Sequence, residues 1–189
     1  INDLLEALAQ LGIEARAQFD NGCLPVIVQA KGFKGGKTRL DASKSSQFLT
    51  SLMLTAPYTD NGLEIDMVGQ YKTPYIDITM AVMQAFGVGV EHDNYRRFRI
   101  AGGQQYKPCV YAIEPDASNA SYFFAAAAIT GGRVRINNIT VDSAQADIRF
   151  VDVLEQMGCI VKRDADGIEV HGPEILHGID VDMKEISDT

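Results

Sequence analysis

The string DASKSSQFL beginning at Asp41 returns as DASNASYFF beginning at Asp116, and a shortened third copy, Ser187-Asp188-Thr189, stands at the last residues. The flanking segments keep the same period. Gly62 ahead of LEIDMVG answers to Gly132 ahead of RVRINNI, Phe86-Gly87 to Met157-Gly158, and Gly102 to Gly172. Leu11-Gly12 and Gly32 extend the series toward residue 1. A spacing of about 70 to 75 residues that carries whole segments with it marks a repeated folding unit, not a chance match of two short strings. Residues 1 and 189 both fall inside a repeat, so the expectation is a piece of a longer chain.

Within one repeat the hydrophobic period changes in a fixed order. Phe48, Leu49, Leu52, Met53 and Leu54 fall at helical spacing and stop before Ala56-Pro57. Residues 62–68 then alternate as a half-buried strand does. Pro74 opens a second helix that closes at Gly87. Residues 88–91 and 97–100 read as two short strands around an Asp93-Asn94 turn. The second copy predicts a helix over 120–129, a strand over 133–136, a helix over 148–157, and strands over 160–163 and 168–171. The unit is strand, helix, strand, helix, strand, strand, which makes the fold class α/β. The run Phe123-Phe124-Ala125-Ala126-Ala127-Ala128 is small or apolar all round and predicts a helix buried on every side, packed with helices of other units in a lobe.

A net charge of −8 argues against nucleic-acid or anionic-membrane partners, which need a basic face. It leaves a small anionic ligand open, because such a ligand needs only a few local cations or N–H groups. Cys23, Cys109 and Cys159 form no ligand spacing and read as reduced thiols of a cytoplasmic protein. No run approaches the ~20 apolar residues of a membrane span.

Chemistry concentrates at the first box. In Asp41-Ala42-Ser43-Lys44-Ser45-Ser46-Gln47, hydroxyls, an amide and an ammonium gather where a helix starts. The first N–H groups of a helix lack partners there and the dipole is positive, so a phosphate is well held. The same residues also suit plain capping by Ser43 or Ser45. The second box, Asn119-Ala120-Ser121-Tyr122, has lost the Lys and Gln and reads as a cap and packing site. Lys31-Gly32-Phe33-Lys34-Gly35-Gly36-Lys37 lacks the Walker spacing and reads as a glycine turn. His171 and His177 have no metal-ligand pattern around them. Arg96, Arg97 and Arg99 read as a solvated face, and Asp142, Asp147 and Arg149 as helix-start charges.

SSQFLTSLMLTAP, TPYIDIT, DASNASYFFAAAAITGG and ADIRFVDVLEQMG resemble, in order, the successive blocks of the 5-enolpyruvylshikimate-3-phosphate synthase family, over essentially all 189 residues. The resemblance implies an enolpyruvyl-transferase fold: two inside-out α/β barrel lobes, each of three repeats with buried parallel helices, closing on substrate. It assigns 1–113 to the N-terminal lobe and 114–189 to the first, truncated repeat of the C-terminal lobe, with a strand crossing near Glu114-Pro115. The whole enzyme would be roughly twice this length.

The same resemblance implies transfer of the enolpyruvyl group from phosphoenolpyruvate to the 5-hydroxyl of shikimate 3-phosphate, with release of phosphate. It places the shikimate 3-phosphate phosphate at Ser45 and Ser46, Gln47 toward both substrates, and Tyr75 against the shikimate ring. The loop before Pro74 departs from the family pattern, and either Lys72 or Thr73 supplies the substrate contact there. Asp188 is the expected catalytic carboxylate on the 5-hydroxyl, with Asp116 as its supporting repeat-mate. No metal and no organic cofactor is expected, nor any nucleic-acid or membrane partner. The full-length enzyme is expected to be a cytoplasmic monomer, and residues 1–189 alone are expected to be inactive. The alternatives are a UDP-N-acetylglucosamine enolpyruvyl transferase, whose loop Cys has no counterpart in Cys23, Cys109 or Cys159, and a non-catalytic phosphosugar-binding module of the same units.

Overall fold

A computed structural model describes residues 1–69, 73–186 and 188–189 of the chain. The chain divides into two compact units, Ile1–Tyr111 and Ala112–Thr189.

The first unit opens with α1 (Asn2–Gln10) and a two-stranded antiparallel ribbon of β1 (Glu14–Ala17) and β2 (Val26–Gln29). The repeat then runs β3 (Gly36–Asp41), α2 (Gln47–Thr55), β4 (Leu63–Val68), α3 (Pro74–Ala85), β5 (Glu91–Asp93) and β6 (Arg97–Ile100). Its sheet has the order β3-β4-β6-β5, with β3 and β4 parallel and the other pairs antiparallel. Alternation decides which face is inside. Thr38, Leu40, Leu63, Ile65, Phe98 and Ile100 are buried and meet Leu49, Leu52 and Met53 of α2 and Ile76 and Met83 of α3 in one core. The outer face is a lattice of cross-strand ion pairs: Lys37 Nζ lies 2.9 Å from Glu64 Oε1, Arg99 Nε 3.0 Å from Glu64 Oε2, and Arg97 pairs with Asp66. Arg97 and Arg99 thus lie on a solvated face as expected, and they gain carboxylate partners on it.

The second unit repeats the scheme with α4 (Ala117–Thr130), β7 (Arg133–Asn137), α5 (Phe150–Gln156, entered through a 3₁₀ turn at Ala146–Arg149), β8 (Ile160–Asp164) and β9 (Gly167–His171). Its antiparallel sheet has the order β7-β9-β8, and Ile168 and Val170 pack with Phe124, Ala127, Val151 and Leu154.

The repeated apolar-glycine pairs are helix ends. After α1, α3 and α5 the chain makes the same two hydrogen bonds: Gly12 N–H to Ala9 C=O and Ile13 N–H to Leu8 C=O, Gly87 to Gln84 and Val88 to Met83, Gly158 to Glu155 and Cys159 to Leu154. This is the Schellman ending, in which a glycine at positive φ satisfies the last carbonyls and the next residue packs inward.

Four expectations change. Val88 does not begin a strand; it is the inward residue of the α3 ending and is fully buried, so β5 starts at Glu91 and the turn falls on Asn94 and Tyr95, both at positive φ. The helix expected from residue 120 begins three residues earlier, because Asp116 caps it. That helix is not buried on every side: Ala117, Ala120, Phe124, Ala127 and Ala128 are inside, while Tyr122, Phe123 and Ile129 are exposed, since the unit offers one sheet for one helix face to cover. No strand forms near Glu114-Pro115 among the described residues. Among the described residues no strand pairs with the outer edge of β7, so the segment before α4 does not mirror β3.

Candidate functional site

Because β3 and β4 are parallel, with Asp41 opposite Val68, the chain leaves both strands at one edge of the sheet and enters α2 and α3 there. Ligands of open α/β sheets bind outside this carboxyl edge, where helix N-termini point their unpaired N–H groups.

At the first box, Asp41 Oδ1 accepts from the Ser43 N–H at 2.8 Å and from the Ser43 hydroxyl, and these bonds hold the Asp41 carboxyl below the usual carboxylate range. Gly69, at the end of β4, packs on this turn: a Cβ there would lie 2.2 Å from Ser43 Oγ. The helix begins at Gln47 with Ser46 at its N-cap. The Ser45 hydroxyl accepts from the Gln47 N–H at 3.2 Å, but no described side chain caps the N–H groups after it, and Ser46 makes no cap bond. The capping alternative therefore applies to Ser45 in part and not to Ser43. Ser45 and Ser46 are half-buried and Gln47 is exposed. Lys44, expected at the helix start, instead binds Asp3 of α1 at 2.9 Å.

The second box is closed. Asp116 accepts from the N–H groups of Ser118 and Asn119 at 2.9 and 3.2 Å and from the side-chain nitrogen of Asn119 at 2.8 Å. The Ser118 hydroxyl contributes most to lowering the Asp116 carboxyl below its ordinary value, followed by the Asn119 N–H. The carboxylate occupies the anion position of its own helix, so the cap is Asp116 and not Asn119 or Ser121.

Thr73 is the N-cap of α3, Pro74 its first residue, and Tyr75 is half-buried in its first turn. Lys72 lies outside the described residues. Two features of this turn escaped the sequence reading. The Tyr95 hydroxyl donates to Asp77 Oδ1 at 2.7 Å, and the Thr79 hydroxyl donates to the Tyr75 carbonyl at 2.9 Å while lying 2.9 Å from the Thr50 hydroxyl of α2. The available signal was Thr at four residues past Tyr75 and at four past Ser46, one helical turn beyond each candidate.

Asp188 belongs to the second unit and is exposed, two residues past a 3₁₀ turn at Lys184–Ile186 that is anchored by buried Ile186 and by an Arg149–Glu185 pair at 2.8 Å. Ser187 is outside the described residues. In the glycine-rich segment, a Cβ on Gly35 would lie 2.1 Å from the Gly62 carbonyl, a close backbone approach consistent with a turn. His171 Nε2 is 2.6 Å from Glu169 Oε1, and the three cysteines are unpaired, with Cys159 buried. Among the described residues no group of His, Cys, Asp and Glu has a metal-holding arrangement, and no helix is long and apolar enough to cross a membrane.

In the first unit two parallel strands feed two helices at one sheet edge and an antiparallel hairpin closes the sheet, the second unit repeats the two helices and the hairpin, and solved enolpyruvyl transferases share this fold. The fold matches EPSP synthase from Acinetobacter baumannii with a TM-score of 0.69 at 19% identity, covering 98% of this chain and 42% of that one. It matches the enolpyruvyl transferase NikO from Streptomyces tendae with a TM-score of 0.67 at 18% identity, covering 92% and 42%. Sequence narrows the class. The family model for EPSP synthase (3-phosphoshikimate 1-carboxyvinyltransferase) matches residues 1–189, and the chain belongs to that family. Relatives carrying the name 3-phosphoshikimate 1-carboxyvinyltransferase from Nostoc sp. and Pectobacterium atrosepticum are 46% and 48% identical across the whole chain. The chain spans 44% of the length of each.

Proposed function

We propose that this chain is the shikimate 3-phosphate side of an enzyme that transfers the enolpyruvyl group of phosphoenolpyruvate to the 5-hydroxyl of shikimate 3-phosphate and releases phosphate. The observation that carries the reading is identity of 46 to 48% across all 189 residues to relatives bearing that activity's name. The difference between the boxes supports the site. Asp116 fills the anion position of α4, whereas the start of α2 presents N–H groups and the Ser46 hydroxyl with no carboxylate capping them.

In this reading the substrate phosphate binds Ser45, Ser46 and the first N–H groups of α2. The ring lies toward Tyr75, with Thr73 or Lys72 at its side, and Gln47 reaches both substrates. Asp188 takes the proton of the 5-hydroxyl as the hydroxyl oxygen bonds to C2 of phosphoenolpyruvate and a proton adds to the methylene carbon; loss of phosphate together with a proton from that same carbon then restores the double bond. Asp116 serves α4 as its cap and supports the reaction only through that helix. Residues 1–113 belong to one lobe and 114–189 to the next, in a cytoplasmic enzyme acting as a monomer on two small molecules without nucleic acid.

Titrating the chain with shikimate 3-phosphate and following backbone amide shifts tests the site. Saturable shifts at Ser45, Ser46, Gln47 and Tyr75 are expected, and Ser46→Ala should weaken binding at least about tenfold, the scale of one lost hydrogen bond to a charged group. Binding that is indifferent to Ser46, or confined to other residues, would sink the assignment. No product should form from the two substrates with residues 1–189 alone.

A further inference from the structure

We propose that Thr79, working with Thr50, is a positioning residue that sets the distance between the phosphate end of the site on α2 and the ring end on α3. The inference rests on the site reading above and assigns work to two hydroxyls that lie outside it.

The direction of the hydrogen bonds follows from counting protons. Thr79 has one hydroxyl proton, and it goes to the Tyr75 carbonyl at 2.9 Å. In the 2.9 Å contact between Thr50 and Thr79, Thr50 is therefore the donor. The N–H of Thr50 in turn binds the Ser46 carbonyl at 3.0 Å. One line of hydrogen bonds thus runs from Ser46, through Thr50 and Thr79, to Tyr75.

Packing alone does not ask for these groups. Thr79 is 7% exposed, and the helices that carry it and Thr50 bring fully buried Leu49, Met53, Ile76 and Met83 into one apolar core. A hydroxyl among apolar side chains is costly unless bonded, and Val would fill nearly the same volume without needing a partner. A paired hydroxyl adds direction. Apolar side chains let two helices slide by fractions of an ångström at little cost, whereas a hydrogen bond weakens steeply as its geometry degrades. The Tyr95–Asp77 bond holds the same turn of α3 from the β5–β6 side, so Tyr75 sits on a turn fixed from two directions.

A ligand that touches both helices senses this spacing, and a ligand that touches only α2 does not. The test compares shikimate 3-phosphate with inorganic phosphate, each titrated into the chain while amide shifts and the thermal midpoint are followed. Thr79→Val and Thr50→Val should each lower shikimate 3-phosphate affinity about fivefold to tenfold, the worth of one buried neutral hydrogen bond. The phosphate-induced shifts at Ser45 and Ser46 should stay as they are. Thr79→Ser should restore affinity, and the double variant should be no worse than either single one, because both break the same line. Half-exposed Thr50 keeps the test open should Thr79→Val fold poorly. Equal losses for both ligands, or no loss for either, would overturn the positioning role while a Ser46→Ala effect leaves the site reading standing. If Ser46→Ala has no effect on shikimate 3-phosphate, both readings fall together.

Discussion

Glu169 shows how one side chain acquires a role that its sequence neighbours do not announce. It lies on the outer face of the second sheet yet is only 4% exposed, because Arg133 Nη2 at 2.5 Å, His171 Nε2 at 2.6 Å and Lys162 Nζ at 3.6 Å close over it from all three strands. The His171 contact first, then Arg133, holds its carboxyl down to about 2 from an ordinary 4.5. A depressed carboxylate stabilises the fold fully above its unfolded value, and that contribution is lost as pH falls through the folded one. Thermal midpoints should therefore drop as pH goes from about 4.5 toward about 2. Glu169→Gln should start lower and fall less, so the two curves converge at the acid end; parallel curves would count against this. Alternation in the sequence puts residue 169 on a strand, but only the sheet order places it between Arg133 and Lys162.

At the scale of the element, the repeated glycines do two different jobs. Gly12 at φ +78 ends α1 in open space, so Gly12→Ala carries only the cost of a left-handed backbone, about 1 to 2 kcal/mol. Gly62 at φ +68 enters β4 with the Ile100 carbonyl 2.2 Å from where a Cβ would stand. Gly62→Ala should cost distinctly more, and urea unfolding of the two variants side by side checks the order. Helix ends of this kind were legible because the Schellman signal spans only six residues. The limits of β5 were not, since Val88 is apolar both as a strand residue and as the inward residue of a helix ending. The same holds for α4: Phe123 and Phe124 are alike in sequence, and one is exposed while the other is buried.

For the whole molecule, the two units have separate apolar cores, and the chain between β6 and α4 has no regular structure among the described residues. Val110 and Ile113 are 106% and 87% exposed there. An exposed segment without ladder or helix is where proteases cut first. Brief proteolysis should cleave between residues 104 and 116 and leave both units protected; first cuts inside α3 or β9 would contradict the division.

By itself the sequence determined the repeat, the order of elements and membership of the EPSP synthase family. These rest on periodicity, turn chemistry and block order, which act over a few residues at a time. Tertiary structure alone decided that β3 and β4 run parallel, that Lys44 turns away to Asp3, and that Thr50 meets Thr79. The reason is physical. A short polar side chain has several partners within reach, and which one it takes depends on groups brought close by packing from 29 to 41 residues away.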